Sequence, residues 1–198
     1  MIRNWVLVAG AGVVLLGCRE SRAASPPAAH PPTHVDSILP RDEALRRFKQ
    51  GTRATEALSG GTTSRDALVR AFVSALAARD TARLGRLALD RDEFAYLYYP
   101  TTPQGRPPYD LAPDLMWFTL QTGSDKGLGR ALEANGGRSL RLASYHCDPM
   151  PSREGENLVW GPCVVRYRVD GRLREARLFG LILERQGRFK FVSYGNRL

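Results

Sequence analysis

The cysteine at position 18 is the residue whose type and place in the sequence point most directly to chemistry. Arg3 and an apolar run of twelve residues, 5–16, precede it, and the small residue Gly17 stands directly before it. A helix that crosses a bilayer needs about 20 apolar residues, so this run is too short to be one. The pattern is typical of the apolar core of a signal peptide and not of a transmembrane anchor.

The four residues Leu15, Leu16, Gly17 and Cys18 resemble the lipobox of bacterial lipoprotein precursors. The resemblance implies that a diacylglyceryl group is attached to the Cys18 sulfur and that residues 1–17 are removed as the signal peptide. It also implies acylation of the new amino terminus. Two or three acyl chains give stable anchorage, whereas one chain holds a protein only marginally. A secretory signal with a chance cysteine and an uncleaved membrane anchor are the alternatives.

The same resemblance implies a place in the cell envelope, lipid-anchored to a membrane and facing outside the cytoplasm. Arg19, in place of Asp beside the cysteine, favours the outer membrane over the inner one by analogy with one group of bacteria. Residues 18–39 are rich in Ala, Ser and Pro, cannot bury a core, and are expected to form a disordered tether. Residues 40–198 are expected to form a single globular domain.

Cys147 and Cys163 are the other two cysteines of the sequence. They lie at the edges of residues 148–162, which are rich in Pro, Gly and charge. If a loop centred near Gly155 joins the strands on either side, the two cysteines face each other across those strands. Outside the cytoplasm this predicts a disulfide, with two separate buried thiols as the alternative. No further cysteine or suitably spaced histidine completes a zinc site, so no metal or other cofactor is expected.

A few polar residues could support acid–base catalysis if the domain were an enzyme. His146 would be the general base, Asp110 or Asp114 its carboxylate partner, and Tyr96 or Tyr98 the acid or oxyanion donor. A lone histidine at a strand end is more often structural, and the sequence places neither carboxylate within hydrogen-bond reach of it. The sequence also has no Gly-x-Ser-x-Gly nucleophile elbow. Catalysis is therefore the alternative hypothesis.

Aromatic residues flank the proline-rich segment 101–113, and a loop of this length is often functional. Tyr98, Tyr99, Tyr109 and Trp117 are the candidate binding residues, which would form an exposed aromatic patch. The alternative is that the tyrosine rings are buried against the helices with their hydroxyls at the rim.

The 198-residue chain has 29 Lys and Arg against 20 Asp and Glu, a formal net charge of +9. Such a surface favours anionic lipid headgroups or acidic glycans near a membrane. Export, and the scattering of the arginines along the chain, argue against nucleic acid. The expected partners are the membrane, through the lipid anchor, and an envelope protein or an anionic lipid or glycan. A solvated basic surface without a specific partner is the alternative.

Capping residues predict four helix starts, at Pro40, at Thr63 or Ser64, at Asp80, and at Asp90 with Glu93 as a capping box. Residues 94–99 could be either helix or strand. Two short helices, 115–120 and 128–132, are expected next. Ser124 would cap the second of these, and Gly136 would end it in a conformation with positive φ.

From residue 138 onward the apolar periodicity changes to two, which predicts strands. Leu140, Leu142 and His146 are expected on one face of the first strand, so that His146 lies on the side of the two leucines. A second strand is expected over residues 163–169.

Two dipeptides predict hairpins in this part of the chain, Asp170-Gly171 strongly and Gln186-Gly187 more weakly. A turn centred on the first places Arg166 opposite Glu175, a favourable cross-strand pair. The sequence therefore predicts a meander of four antiparallel strands after the helices, which is an α+β architecture.

Residues 67–89, a helix, an Arg-Asp break and a second short helix, resemble the opening of the nuclear transport factor 2-like cone, the fold of SnoaL and ketosteroid isomerase relatives. The terminal meander resembles its curved sheet, so that the resemblance covers residues 64–194. It implies helices and a curved sheet around an apolar pocket. Some members bind small ligands or partner proteins there, and others catalyse isomerisation, dehydration or hydrolysis.

The leading hypothesis is a lipid-anchored envelope lipoprotein whose non-catalytic domain binds a ligand or another protein. The alternative is a small-pocket enzyme of the SnoaL and ketosteroid isomerase type that uses His146 with a carboxylate. Fold alone does not choose between them. A solvent-facing His146 would remove the enzyme hypothesis, and complete burial of the tyrosines around 98–109 would weaken an aromatic binding patch.

Overall fold

Helices come first in the described chain and strands come last. A computed structural model describes residues 39–195, so Cys18, the signal peptide and nearly all of the expected tether lie outside the described residues. The helices are α1 (Arg41–Phe48), α2 (Arg65–Ala78), α3 (Thr81–Leu87), α4 (Arg91–Glu93) and α5 (Pro113–Asn135), with a π-helix over Phe94–Tyr98 and a 3₁₀ turn over Pro103–Gly105. Within this part of the chain, none of the helices is both long and apolar enough to span a bilayer.

The strands form two antiparallel sheets and confirm the α+β class. They are β1 (Leu140–Cys147), β2 (Ser152–Glu154), β3 (Asn157–Trp160), β4 (Cys163–Val169), β5 (Arg172–Ala176), β6 (Ile182–Arg185) and β7 (Arg188–Phe191). One sheet has the order β1-β4-β5 and the other the order β2-β3-β6-β7. The prediction of a single four-stranded meander was wrong, because residues 148–162 contribute the extra hairpin β2–β3 to the second sheet.

Three of the predicted helix caps are confirmed by hydrogen bonds. The Ser64 hydroxyl accepts from the Ala67 N–H at 3.1 Å, and the Asp80 carboxylate accepts from the Arg83 N–H at 2.8 Å. Asp90 forms the predicted capping box with its partner three residues later. Each cap satisfies a backbone N–H group that has no partner within its helix.

The long helix α5 replaces the two short helices that the sequence predicted. Ser124 is not a cap: its hydroxyl lies in mid-helix and accepts from the Tyr194 N–H at 2.9 Å. Gly136 has a φ of −65°, and the positive φ after the helix belongs instead to Gly137, at 76°. Residues 94–98 are helical, which settles the helix-or-strand alternative for them.

Two hydrophobic clusters fill the domain, and α5 contacts both. Phe72 on α2 is at the centre of the first, with ring centroids 5.6 Å from Phe179 and 5.5 Å from both Phe191 and Tyr194. Phe94 belongs to the second cluster, around α1 and the π-helix. Aromatic pairs at these distances add about 0.5–1.5 kcal/mol each beyond their buried area.

A buried ion pair joins α4 to β7. Glu93 and Lys190 are 1% and 2% exposed, and the Lys190 Nζ lies 2.6 Å from the Glu93 Oε2. The same carboxylate accepts from the N–H and hydroxyl of Ser59, at 2.6 Å and 3.1 Å, and from the Asp90 N–H at 3.1 Å. The charge is therefore paired and its oxygens are hydrogen-bonded, which burial of a carboxylate requires.

The predicted disulfide is present between Cys147 and Cys163. These residues are also the terminal cross-strand pair of β1 and β4. The bond therefore joins the two ends of the segment 148–162. This segment leaves the three-stranded sheet after β1, adds the hairpin β2–β3 to the four-stranded sheet, and returns at β4.

Both predicted hairpins are confirmed. The turn at Asp170-Gly171 joins β4 to β5 and pairs Arg166 with Glu175, whose charged groups lie 3.4 Å apart. The turn at Gln186-Gly187 joins β6 to β7. All four turn residues have positive φ, as a two-residue hairpin turn of this kind requires.

Replacement of Lys190 by Met is expected to lower the free energy of unfolding by about 3–5 kcal/mol, because it leaves the Glu93 carboxylate buried without its cation. The double variant Glu93→Gln/Lys190→Met is expected to regain part of that loss. Urea unfolding followed by circular dichroism measures both. Arg188→Met, which removes an exposed cation from the same strand, is the control; an equal loss there would contradict the interpretation.

Replacement of both Cys147 and Cys163 by Ala is expected to lower the free energy of unfolding by about 3 kcal/mol, the chain-entropy value for a loop of this size. Chemical unfolding under oxidising conditions measures the difference. A reductant is expected to bring the native chain close to the variant and to leave the variant unchanged. A reductant effect of equal size on both chains would contradict this account.

Replacement by Ala at two glycines is expected to change the stability of the protein in opposite directions. An added Cβ at Gly129, inside α5, meets nothing within 4 Å, whereas one at Gly61 would lie 2.6 Å from the Phe189 carbonyl oxygen. Gly129→Ala is expected to stabilise the protein by about 0.5–1 kcal/mol through helix propensity. Gly61→Ala is expected to destabilise it, and thermal unfolding of the two variants side by side measures the difference in sign.

Candidate functional site

The residue proposed as a general base, His146, does not lie on the inner face of its strand. The register of β1 against β4 shifts between Leu142 and Ser144. This bulge reverses the alternation of faces, so that Tyr145 and Cys147 are half-buried while His146 is exposed. The expectation that His146 lies on the side of the leucines was wrong, because periodicity alone does not reveal a bulge.

The carboxylates that were paired with His146 in the enzyme hypothesis lie elsewhere in the fold. Asp110 is in the proline-rich segment and Asp114 is in the first turn of α5, and both are exposed. Within residues 39–195, His146 forms no hydrogen bond or ion pair with a carboxylate. Burial raises the pKa of Tyr98 to about 12, which makes its hydroxyl a poor proton donor near neutral pH.

The expected aromatic patch is only partly exposed. Tyr98 and Tyr99 are fully buried in the second cluster, and the Tyr99 hydroxyl donates to the Leu111 carbonyl at 2.9 Å. Tyr109 is 68% exposed. Trp117 is half-buried, with its ring centroid 5.1 Å from that of Phe94. The prediction of one exposed patch was therefore wrong for Tyr98 and Tyr99, because the π-helix turns these rings into the core.

A buried carboxylate that the sequence did not reveal lies beside Tyr98. Glu154, in β2, is buried, its Oε2 has no hydrogen-bond partner, and burial raises the pKa of its carboxyl. The Ser152 hydroxyl donates to its other oxygen at 3.3 Å. None of the cavities described below is lined by this group.

A small cavity of about 180 Å³ lies between α3, α5 and the segment after β7. Trp117, Gln121 and Ser124 line it from α5, and Tyr194 lines it from the opposite side. Ligand pockets usually measure about 300–1,000 Å³. This cavity therefore has room for a few waters or a very small molecule.

A larger groove of about 480 Å³ is lined in part by Gly123 and Gly195, the chain neighbours of Ser124 and Tyr194. We call it the basic groove. Its lining comprises Gly123, Lys126, Arg130, Pro162, Arg177, Phe179, Gly180, Leu181 and Gly195. The groove thus combines residues from α5, from the end of the disulfide-closed segment, from the connection between β5 and β6, and from the chain after β7. Its volume falls in the range of ligand pockets.

The charged residues in the described lining of the basic groove are all positive. Lys126 and Arg130 are four residues apart on α5, which puts them on the same helix face, and Arg177 comes from the connection between β5 and β6. All three are exposed, and the described lining contains no Asp or Glu. Lys126 and Arg177 form no ion pair within the described residues. The arrangement is suited to bind an anion.

The floor of the basic groove is apolar and lacks protruding side chains. Pro162 is exposed and Leu181 is half-buried, and both contribute apolar surface, whereas Phe179 also lines the groove but is only 2% exposed. A Cβ at Gly180 would lie 3.0 Å from the Ser193 hydroxyl oxygen, and one at Gly123 would meet nothing within 4 Å. A side chain at Gly180 would therefore press on Ser193, whereas one at Gly123 would project into open space.

Sequence reasoning missed this site. The i, i+4 spacing of Lys126 and Arg130 is a readable signal, but Lys126 falls in the break expected between the helices 115–120 and 128–132. Arg177 is distant from both in the sequence, and only the tertiary fold brings it to the same groove. Within residues 39–195 no cluster of His, Cys, Asp and Glu could hold a metal ion.

Comparisons with known proteins add no assignment. No family model, no curated protein and no solved structure matches this chain.

Proposed function

We propose that this chain is a lipid-anchored lipoprotein of the cell envelope whose domain binds a ligand in the basic groove and does not catalyse a reaction. The amino-terminal motif that ends at Cys18 supports the anchor. The Cys147–Cys163 disulfide supports an address outside the cytoplasm, because disulfides persist mainly in oxidising compartments. The outer membrane remains favoured over the inner one because of Arg19.

The observation that carries the binding role is the basic groove itself. It brings Lys126, Arg130 and Arg177 together around an apolar floor at a volume that suits a small molecule. Concave sites of this kind, with a few convergent polar groups, are the usual form of a ligand site. An anionic ligand, one of the partner classes expected from the net charge, fits it best.

The enzyme hypothesis has no support for His146 as its general base. His146 is exposed and has no carboxylate partner among the described residues, and Asp110 and Asp114 lie in the proline-rich segment and at the start of α5. General acid–base catalysis needs groups within hydrogen-bond reach of one another or of the substrate. The nuclear transport factor 2-like cone stays a proposal for the fold, supported by the order of helices before an antiparallel sheet.

Acylation is tested by intact mass spectrometry of the mature protein from a bacterial envelope. The expected product starts at Cys18 and carries the mass of a diacylglyceryl group, with or without a third acyl chain. Cys18→Ser is expected to lack that mass, and Cys147→Ala/Cys163→Ala is the matched control that keeps it. A native chain with an unmodified amino terminus and no acyl mass would overturn the anchor and the address together.

A further inference from the structure

We propose that the basic groove binds a phosphate monoester that carries a compact apolar body. The inference deepens the proposed function, on which it rests, by naming the chemical class of the ligand. It follows from two features of the same groove, the charges on its walls and the apolar side chains between them.

The charged residues that line the basic groove indicate that the ligand carries a phosphate group. Lys126 lies on α5 and Arg177 in the connection between β5 and β6, both line the groove, and neither has an ion-pair partner within the described residues. Arg130, one helical turn from Lys126, adds a third positive charge. An anion in the groove would pair with the charges of Lys126 and Arg177. Guanidinium groups bind phosphate oxygens in paired hydrogen bonds, and a phosphate monoester carries nearly two negative charges.

The floor selects the rest of the ligand. Pro162, Phe179 and Leu181 line the groove together with glycines that add no side chain. A bare phosphate ion would leave the exposed ring of Pro162 and the half-buried side chain of Leu181 in contact with water, and it would occupy a small part of about 480 Å³. An apolar body attached to the phosphate would cover the surface and gain the hydrophobic contribution.

The outer face of the three-stranded sheet supplies a matched control. Arg141 and Arg168 are exposed, pair across β1 and β4, and do not line the groove. Removal of this pair changes the net charge by the same amount as removal of Lys126 and Arg177. It therefore separates binding in the groove from general attraction to a basic protein.

The test uses the full chain, held in phosphatidylcholine nanodiscs where it is acylated. Hexyl phosphate, inorganic phosphate and hexanol are titrated separately, and binding is measured as the rise in unfolding temperature with ligand concentration. Hexyl phosphate is expected to act at the lowest concentration. Lys126→Ala/Arg177→Ala is expected to need at least about tenfold more hexyl phosphate, since charge-assisted hydrogen bonds are lost. Arg141→Ala/Arg168→Ala is expected to match the native chain.

The proposal is overturned if inorganic phosphate acts as strongly as hexyl phosphate, if the control pair weakens binding as much as the groove pair, or if no probe stabilises the chain. None of these results bears on acylation at Cys18, which the mass measurement decides separately. Discs that contain phosphatidic acid distinguish two sources of the same chemistry. Stabilisation by those discs that depends on Lys126 and Arg177 indicates a lipid headgroup, and stabilisation by dissolved hexyl phosphate alone indicates a soluble phosphate ester.

Discussion

The buried ion pair between Glu93 and Lys190 is the interaction on which the arrangement of the domain depends. Transfer of two charges out of water costs several kcal/mol for each ion, so the pair persists only where its geometry is good and its remaining oxygens are hydrogen-bonded. Here Ser59 and the Asp90 N–H complete that set. The requirement fixes α4, the chain near residue 59 and β7 relative to one another. Because β7 leads directly into residues 192–195, the same constraint positions the chain that lines both cavities.

The disulfide adds a second constraint, which acts on the part of the basic groove that Pro162 lines. Cys163 ends the segment that contributes β2–β3 to the second sheet, and Pro162, directly before it, lines the groove. The strands β1 and β4, which lead into and out of this segment, pair in the three-stranded sheet. The Cys147–Cys163 bond joins them covalently at the last pair before the chain crosses to the four-stranded sheet. The Glu93–Lys190 ion pair and the disulfide thus position lining residues of the basic groove that come from distant parts of the chain.

Local patterns in the sequence correctly predicted the helix caps and turns, because these depend on residues that are close together in the chain. Ser64 and Asp80 cap helices through side-chain hydrogen bonds that span three residues, and Asp170-Gly171 specifies its turn through backbone conformation. Non-local packing decided the rest. The bulge that exposes His146 depends on the register of β1 against β4, and the division into two sheets depends on where the β2–β3 hairpin finds a partner. Neither is recorded in the periodicity of one strand, so the expected position of His146 on the face of the leucines was wrong.

The basic groove shows how tertiary packing overrides local preference. Gly123, Gly127 and Gly129 each disfavour a helix by about 1 kcal/mol relative to Ala, and two of them lie in the break that the sequence predicted between residues 120 and 128. The helix nevertheless continues, because Met116 and Ala131 are buried in different hydrophobic clusters and the segment between them must connect the two. Its continuity places Lys126 and Arg130 on one face, opposite Arg177. A broken helix would leave that face unformed, so the packing that overrides the glycines also forms the anion-binding wall.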